Sequence, residues 1–169
     1  MKQLIVPAVV LGMLGCVTYV PPQVKTTEPL PAASVRASFD RTWTTVIDFF
    51  ADQAIPVKTL DRSSGYIAAE RLGAGNNLDW ADCGKIVNAP ARDGGGPVAP
   101  QQAVFNVRVR GDSASSTVQV VARWMAVATA QVASGFGSRT KAYNETECVT
   151  TGVWETAAIR EITRRAEGR

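Results

Sequence analysis

The 169-residue chain contains no histidine and only three cysteines. Histidine is the commonest general base, the commonest metal ligand and the side chain that titrates near neutral pH. Its absence excludes Ser-His-Asp and Cys-His catalysis, histidine-ligated zinc and histidine-based pH sensing within this chain. We therefore expect a protein that is not an enzyme and that uses no metal or other cofactor.

The chain also lacks a large excess of charge of either sign. The 18 Lys and Arg residues nearly balance the 15 Asp and Glu residues, which leaves a net charge of +3. The basic residues are scattered, apart from Arg164, Arg165 and Arg169 at the C-terminus. A nucleic-acid-binding face concentrates positive charge and interleaves aromatic residues for base stacking. We expect no nucleic-acid partner.

One long apolar run is present, from Leu4 to Leu14, and Lys2 precedes it. It has the length of a signal-peptide core and is too short to span a bilayer, which needs ~20 residues. The sequence Met13-Leu14-Gly15-Cys16 resembles the lipobox of bacterial lipoproteins. That resemblance implies a signal peptide over residues 1–15 that is removed, a diacylglyceryl group on the Cys16 thiol and acylation of the new amino group. The alternative is an ordinary signal peptide in which Cys16 is incidental.

The resemblance also implies a location. Val17 after the cysteine is typical of lipoproteins retained in the outer membrane, so we expect a lipid-anchored protein of the bacterial envelope that faces the periplasm. Residues 16–33 are then the lipidated cysteine that the resemblance implies and a tether that its prolines predict to be extended and semi-rigid. Residues 34–169 then suffice for a single domain.

Hydrophobic spacing in residues 34–169 predicts an α+β domain. Apolar residues from Phe39 to Phe50 recur on one face of a helix with Ser38 as its N-cap, and a second helix follows Gly152. Hairpins are predicted around the turns at residues 61–65 and 112–116, and a short strand precedes the last helix. This order predicts an antiparallel sheet with an N-terminal and a C-terminal helix on one face.

Two segments resemble helix-grip lipoprotein domains of the BamC-type accessory lipoproteins of the outer-membrane β-barrel assembly machine. They are Phe39-Asp40-Arg41-Thr42-Trp43 and Asp61-Arg62-Ser63-Ser64-Gly65-Tyr66-Ile67. The resemblance implies a helix-grip fold and a non-catalytic structural or interaction module. We expect an N-terminal lipid in the membrane and an envelope protein as partner.

With Cys16 assigned to lipid, Cys83 and Cys148 remain. An exported chain meets an oxidising compartment, so we expect these two cysteines to form a disulfide. The alternative is a reactive thiol, although no histidine is available to activate one.

The segment from Gly73 to Pro100 is rich in glycine and predicts a long solvated loop attached at Cys83. Its oxygen-bearing side chains allow calcium as an alternative, but their spacing does not match a helix–loop–helix site. These residues are Asn76, Asn77, Asp79 and Asp82.

Two other functions stay open. A small apolar-ligand or lipid carrier requires a cavity lined by Trp43, Phe50 and Trp124. A histidine-free enzyme requires carboxylates that converge across a cleft, and the sequence does not place any two of the candidates together. These candidates are Glu70, Glu145, Glu147 and Glu155.

Overall fold

A computed structural model of the chain describes residues 16–22, 28–73, 77–89, 95–134 and 137–169. The predicted signal peptide, residues 1–15, lies outside the described residues. Within them, no helix combines the length and the apolar character needed to cross a membrane.

Ten strands and two helices make up the described part of the chain. In order they are β1 (Cys16–Val20), β2 (Ala33–Val35), α1 (Phe39–Asp52), β3 (Val57–Asp61), β4 (Tyr66–Leu72), β5 (Ala81–Asp82), β6 (Lys85–Ala89), β7 (Gly96–Pro97), β8 (Gln102–Gly111), β9 (Ser116–Ser134), β10 (Gly137–Thr150) and α2 (Val153–Ala166). The α+β class predicted from the sequence is confirmed.

The main sheet has the strand order β3-β4-β8-β9-β10-β5, and β2 pairs with the start of β9. A second, small sheet has the order β1-β6-β7. Every strand pair described is antiparallel. The predicted sheet is therefore antiparallel as expected, and it is larger than the two hairpins indicate.

Alternation along β8 and β9 builds the core. From Ala103 to Val109 in β8 and from Ser116 to Ala128 in β9, every second side chain is buried, and the residues between them are more exposed. Phe105 of β8 lies 6.0 Å from Phe50 of α1 and 4.0 Å from Trp154 of α2, measured between ring centroids. Both helices therefore pack on the same face of the sheet, the face that carries Phe105.

Local sequence explains how the first helix and the first hairpin form. Ser38 caps α1, because its Oγ accepts a hydrogen bond from the Arg41 amide. The β3–β4 turn ends at Gly65, which has a φ of +68°, and a Cβ there would lie 1.9 Å from the carbonyl oxygen of Val109. Glycine is required at this turn because both its conformation and its close contact exclude a side chain.

Three predicted segments differ from the structure. β10 extends over fourteen residues, where the sequence predicts only a short strand. The expected loop from Gly73 to Pro100 contains three short strands, β5, β6 and β7. The expected tether over residues 16–33 begins with a paired strand, β1, and its last residue starts β2.

Candidate functional site

The predicted lipidation residue lies at the start of β1. Cys16 pairs with Ala89 and Val20 pairs with Lys85, so β1 runs antiparallel to β6 along its whole length. The structure therefore has a paired strand directly after Cys16, where the sequence predicts an extended tether. Its side chain and the lipid that we expect on it lie outside what the structure describes.

Tyr19 ties β1 to the rest of the domain. Its hydroxyl donates a hydrogen bond to the Cys83 carbonyl oxygen at 2.9 Å and lies 3.4 Å from Oγ1 of Thr146 in β10. The ring is half-buried against the core. Tyr19 is not predicted as a functional residue from the sequence, although the β-branched and aromatic side chains of residues 17–20 are typical of a strand.

The two remaining cysteines lie together next to this contact. The Sγ atoms of Cys83 and Cys148 are 2.03 Å apart, which is a disulfide. Both residues are buried, and β5 pairs with β10 immediately beside them, Asp82 opposite Val149. The disulfide, the β5–β10 pairing and the Tyr19 hydrogen bond together fix β1 to the main sheet.

A pocket of about 480 Å³ lies where β9 and β10 diverge. The lining comes from the segment before β2, from residues 120–123 of β9, from residues 147–150 of β10 and from the start of α2. Two of the carboxylates singled out in the sequence, Glu147 and Glu155, line this pocket together. Glu147 pairs with Nε of Arg123 at 3.0 Å, whereas Glu155 is only 3% exposed.

The other two candidate carboxylates lie elsewhere. Glu70 accepts a hydrogen bond from Nε2 of Gln102 at 2.6 Å and belongs to a different pocket, and Glu145 is exposed on β10. The structure thus brings together two of the four candidates.

No protein-family model matches the chain, and no curated protein matches its sequence. The resemblances to the lipobox and to helix-grip lipoproteins therefore depend on the residues quoted for them.

Two of the residues considered for calcium accept hydrogen bonds from nearby backbone amides. Oδ1 of Asn77 accepts a hydrogen bond from the Asp79 amide, and Oδ1 of Asp82 accepts one from the Gly84 amide. These bonds shape the local turns. Asn76 lies outside the described residues, and the part of the chain that the structure describes holds no group of three His, Cys, Asp or Glu side chains that could hold a metal ion.

The aromatic residues considered for a carrier cavity are packed. Trp43, Phe50 and Trp124 are at most 5% exposed. Phe105 lies 5.6 Å from Trp124 and fills the space between Trp124 and Phe50. Neither of the two pockets described above is lined by any of the three.

Proposed function

We propose that this chain is a lipid-anchored lipoprotein of the bacterial envelope that works as a non-catalytic structural or interaction module. The observation that carries the proposal is the apolar run Leu4–Leu14 followed directly by Gly15 and Cys16. A run of this length directs export, and a cysteine at its end is the acceptor of lipid in bacterial lipoproteins.

The disulfide between Cys83 and Cys148 supports export. Disulfides persist in oxidising compartments such as the periplasm and are rare in the cytosol. The chain also lacks histidine, so the commonest catalytic arrangements are not open to it. An anchored protein with a stable exported domain and few options for catalysis is best suited to contact another envelope protein.

The proposal includes a helix-grip fold for the domain. Two helices on one face of an antiparallel sheet, with α1 preceding a hairpin and α2 following the last strand, are consistent with a helix-grip fold. The lipobox resemblance, with Val17 after the cysteine, adds an outer-membrane location facing the periplasm. The packed core favours an interaction module over a carrier that would hold its ligand among Trp43, Phe50 and Trp124.

Metabolic labelling with an alkyne fatty acid tests the anchor. We expect the native chain to take up the label and to fractionate with membranes, and Cys16→Ala to lose both properties. The matched control is the double variant Cys83→Ala/Cys148→Ala, which keeps Cys16 and should still be labelled. Labelling and membrane association of Cys16→Ala would overturn the proposal.

Crosslinking of the native lipoprotein in cells, followed by purification, tests the partner. One stoichiometric envelope protein is the expected product. Purification of a bound lipid in place of a protein would support the carrier.

A further inference from the structure

The main sheet has a gap on one side of β9. On its other side, β9 pairs with β8 continuously from Ser116 to Met125. On the gap side, β2 pairs with residues 116–118 and β10 pairs with residues from Trp124 onwards. Among the described residues, no strand pairs with residues 119–123 on this side.

The pocket of about 480 Å³ described above lies at this gap. Its apolar lining includes Val121 of β9, Val149 of β10 and Pro29 and Leu30 of the segment before β2. Nε2 of Gln119 donates a hydrogen bond to the Leu30 carbonyl oxygen at 3.1 Å and holds that segment against β9. The volume is within the range of sites that bind small molecules, ~300–1,000 Å³.

Glu155 lines the pocket from the start of α2 and is 3% exposed. Its Oε1 accepts a hydrogen bond from Oγ1 of Thr150 at 2.7 Å. Its other carboxylate oxygen, Oε2, is buried and has no hydrogen-bond partner in the part of the chain that the structure describes. A buried carboxylate oxygen without a donor is unfavourable, because it has lost its water and gained nothing in exchange.

Capping of α2 does not account for this carboxylate. In a capping box, a glutamate at the third helical position accepts a hydrogen bond from the N-cap amide. Here the N-cap is Gly152, whose amide donates to Oγ1 of Thr150 at 3.2 Å. Thr150 therefore accepts the N-cap hydrogen bond that a glutamate accepts in a capping box, and Oε2 of Glu155 is left for another donor.

The charges of the lining select the kind of donor. Among the described residues that line the pocket, Glu28, Glu147 and Glu155 supply three carboxylates, and Arg123 supplies one guanidinium. That guanidinium pairs with Glu147. An excess of negative charge favours a cation. A metal ion is disfavoured, because Ca²⁺ and Mg²⁺ require several oxygen ligands on one ion and the described residues include no group of three His, Cys, Asp or Glu side chains that could hold one.

We propose that this pocket binds a small organic amine. Its ammonium group donates a hydrogen bond to Oε2 of Glu155, and its apolar part packs against Val121 and Val149. Ammonium donors bind carboxylates through charge-assisted hydrogen bonds, which are the strong ones in protein sites. This site is separate from the lipid anchor, so its presence does not depend on the proposed function.

Calorimetric titration of the full-length protein, in micelles of an uncharged detergent, tests the proposal with benzylamine and hexylamine as probes. We expect saturable binding of at least one amine and binding at least about tenfold weaker for Glu155→Gln, the loss expected when a charged hydrogen-bond acceptor becomes neutral. The control Glu145→Gln removes the same charge from an exposed position of β10 and should bind like the native chain.

Two further measurements complete the test. One compares the ammonium group with a neutral hydroxyl, and the other blocks the pocket without changing Glu155. Benzyl alcohol, the neutral analogue, should bind at least about tenfold more weakly than benzylamine. Val121→Phe changes a half-buried residue, fills the pocket and retains Glu155, so it should abolish binding even if Glu155→Gln does not fold. The proposal is overturned if neither amine binds or if benzyl alcohol binds as tightly as benzylamine. It is also overturned if Val121→Phe, or a folded Glu155→Gln, binds the amines like the native chain.

Discussion

Asp61 shows how one side chain organises a turn. Its carboxylate accepts hydrogen bonds from the Ser63 hydroxyl at 2.6 Å and the Ser64 hydroxyl at 2.7 Å, and from both serine amides. These donors, the Ser63 hydroxyl first, lower the pKa of Asp61 to about 2. The β3–β4 hairpin is therefore closed by a charged acceptor together with Gly65.

Asp61→Asn is expected to make stability less dependent on pH. Because the pKa of Asp61 is lower in the folded chain than in the unfolded one, its stabilising effect is present above about pH 4 and is lost as pH falls through about 2. The melting temperature of the native chain should therefore fall further than that of Asp61→Asn between about pH 6 and about pH 2. Asp48→Asn, an exposed change on α1, is the control, and parallel curves for Asp61→Asn and the native chain would contradict the prediction.

At the scale of elements, β1 is the strand that links the predicted anchor to the domain. Its register with β6 runs from Cys16 to Val20, and the Tyr19 side chain adds the contacts with Cys83 and Thr146. A short strand in a three-stranded sheet has little stability of its own. Tyr19 should therefore contribute much of what holds β1 in place.

Tyr19→Ala is expected to release β1. Amide hydrogen exchange should become faster in β1 and β6, while protection in β8 and β9 stays as in the native chain. The matched control is Tyr66→Ala in β4, which removes another half-buried tyrosine and its hydrogen bond to Asn106. Unchanged exchange in β6 of Tyr19→Ala would show that the backbone pairing alone holds the strand.

Elements with a strong local pattern could be predicted from the sequence, and those formed by distant pairing could not. The hairpins β3–β4 and β8–β9 and the helices α1 and α2 follow from alternation, turn residues and helical spacing. β10 carries polar residues such as Asn144, Glu145 and Glu147, and its length is set by its register with β9. β1 lies next to prolines, and its partner β6 is far away in the sequence.

The candidate sites, like the elements, divide into those that a local sequence pattern predicts and those that depend on distant pairing. Cys16 is singled out by the apolar run before it, and the pairing of Cys83 with Cys148 is predicted because only those two remain. Glu155 is one of four candidate carboxylates in the sequence, and nothing in the sequence places it in one pocket with Glu147. Its burial depends on where β9 and β10 diverge and on the position of Thr150, and neither can be read from local spacing.

At the scale of the whole molecule, the disulfide connects parts of the chain that no local pattern brings together. Cys83 and Cys148 are separated by 65 positions, and the loop between them contains β6, β7, β8 and β9. A crosslink over a loop of this length restricts the unfolded chain and stabilises the fold by about 4 kcal/mol in the chain-entropy model. The Tyr19 hydrogen bond to the Cys83 carbonyl makes the small sheet depend on the same connection.

Cys83→Ala/Cys148→Ala is therefore expected to lower the free energy of unfolding by about 4 kcal/mol relative to the oxidised native chain. Urea denaturation with and without reductant measures this free energy of unfolding. Reductant should destabilise the native chain and leave the double variant unchanged, since the variant has no bridge to lose. Cys16→Ala is the matched control, because it removes a cysteine outside the bridge and should respond to reductant as the native chain does. A double variant as stable as the oxidised native chain would mean that packing of Tyr19 and the β5–β10 pairing hold this region without the covalent link.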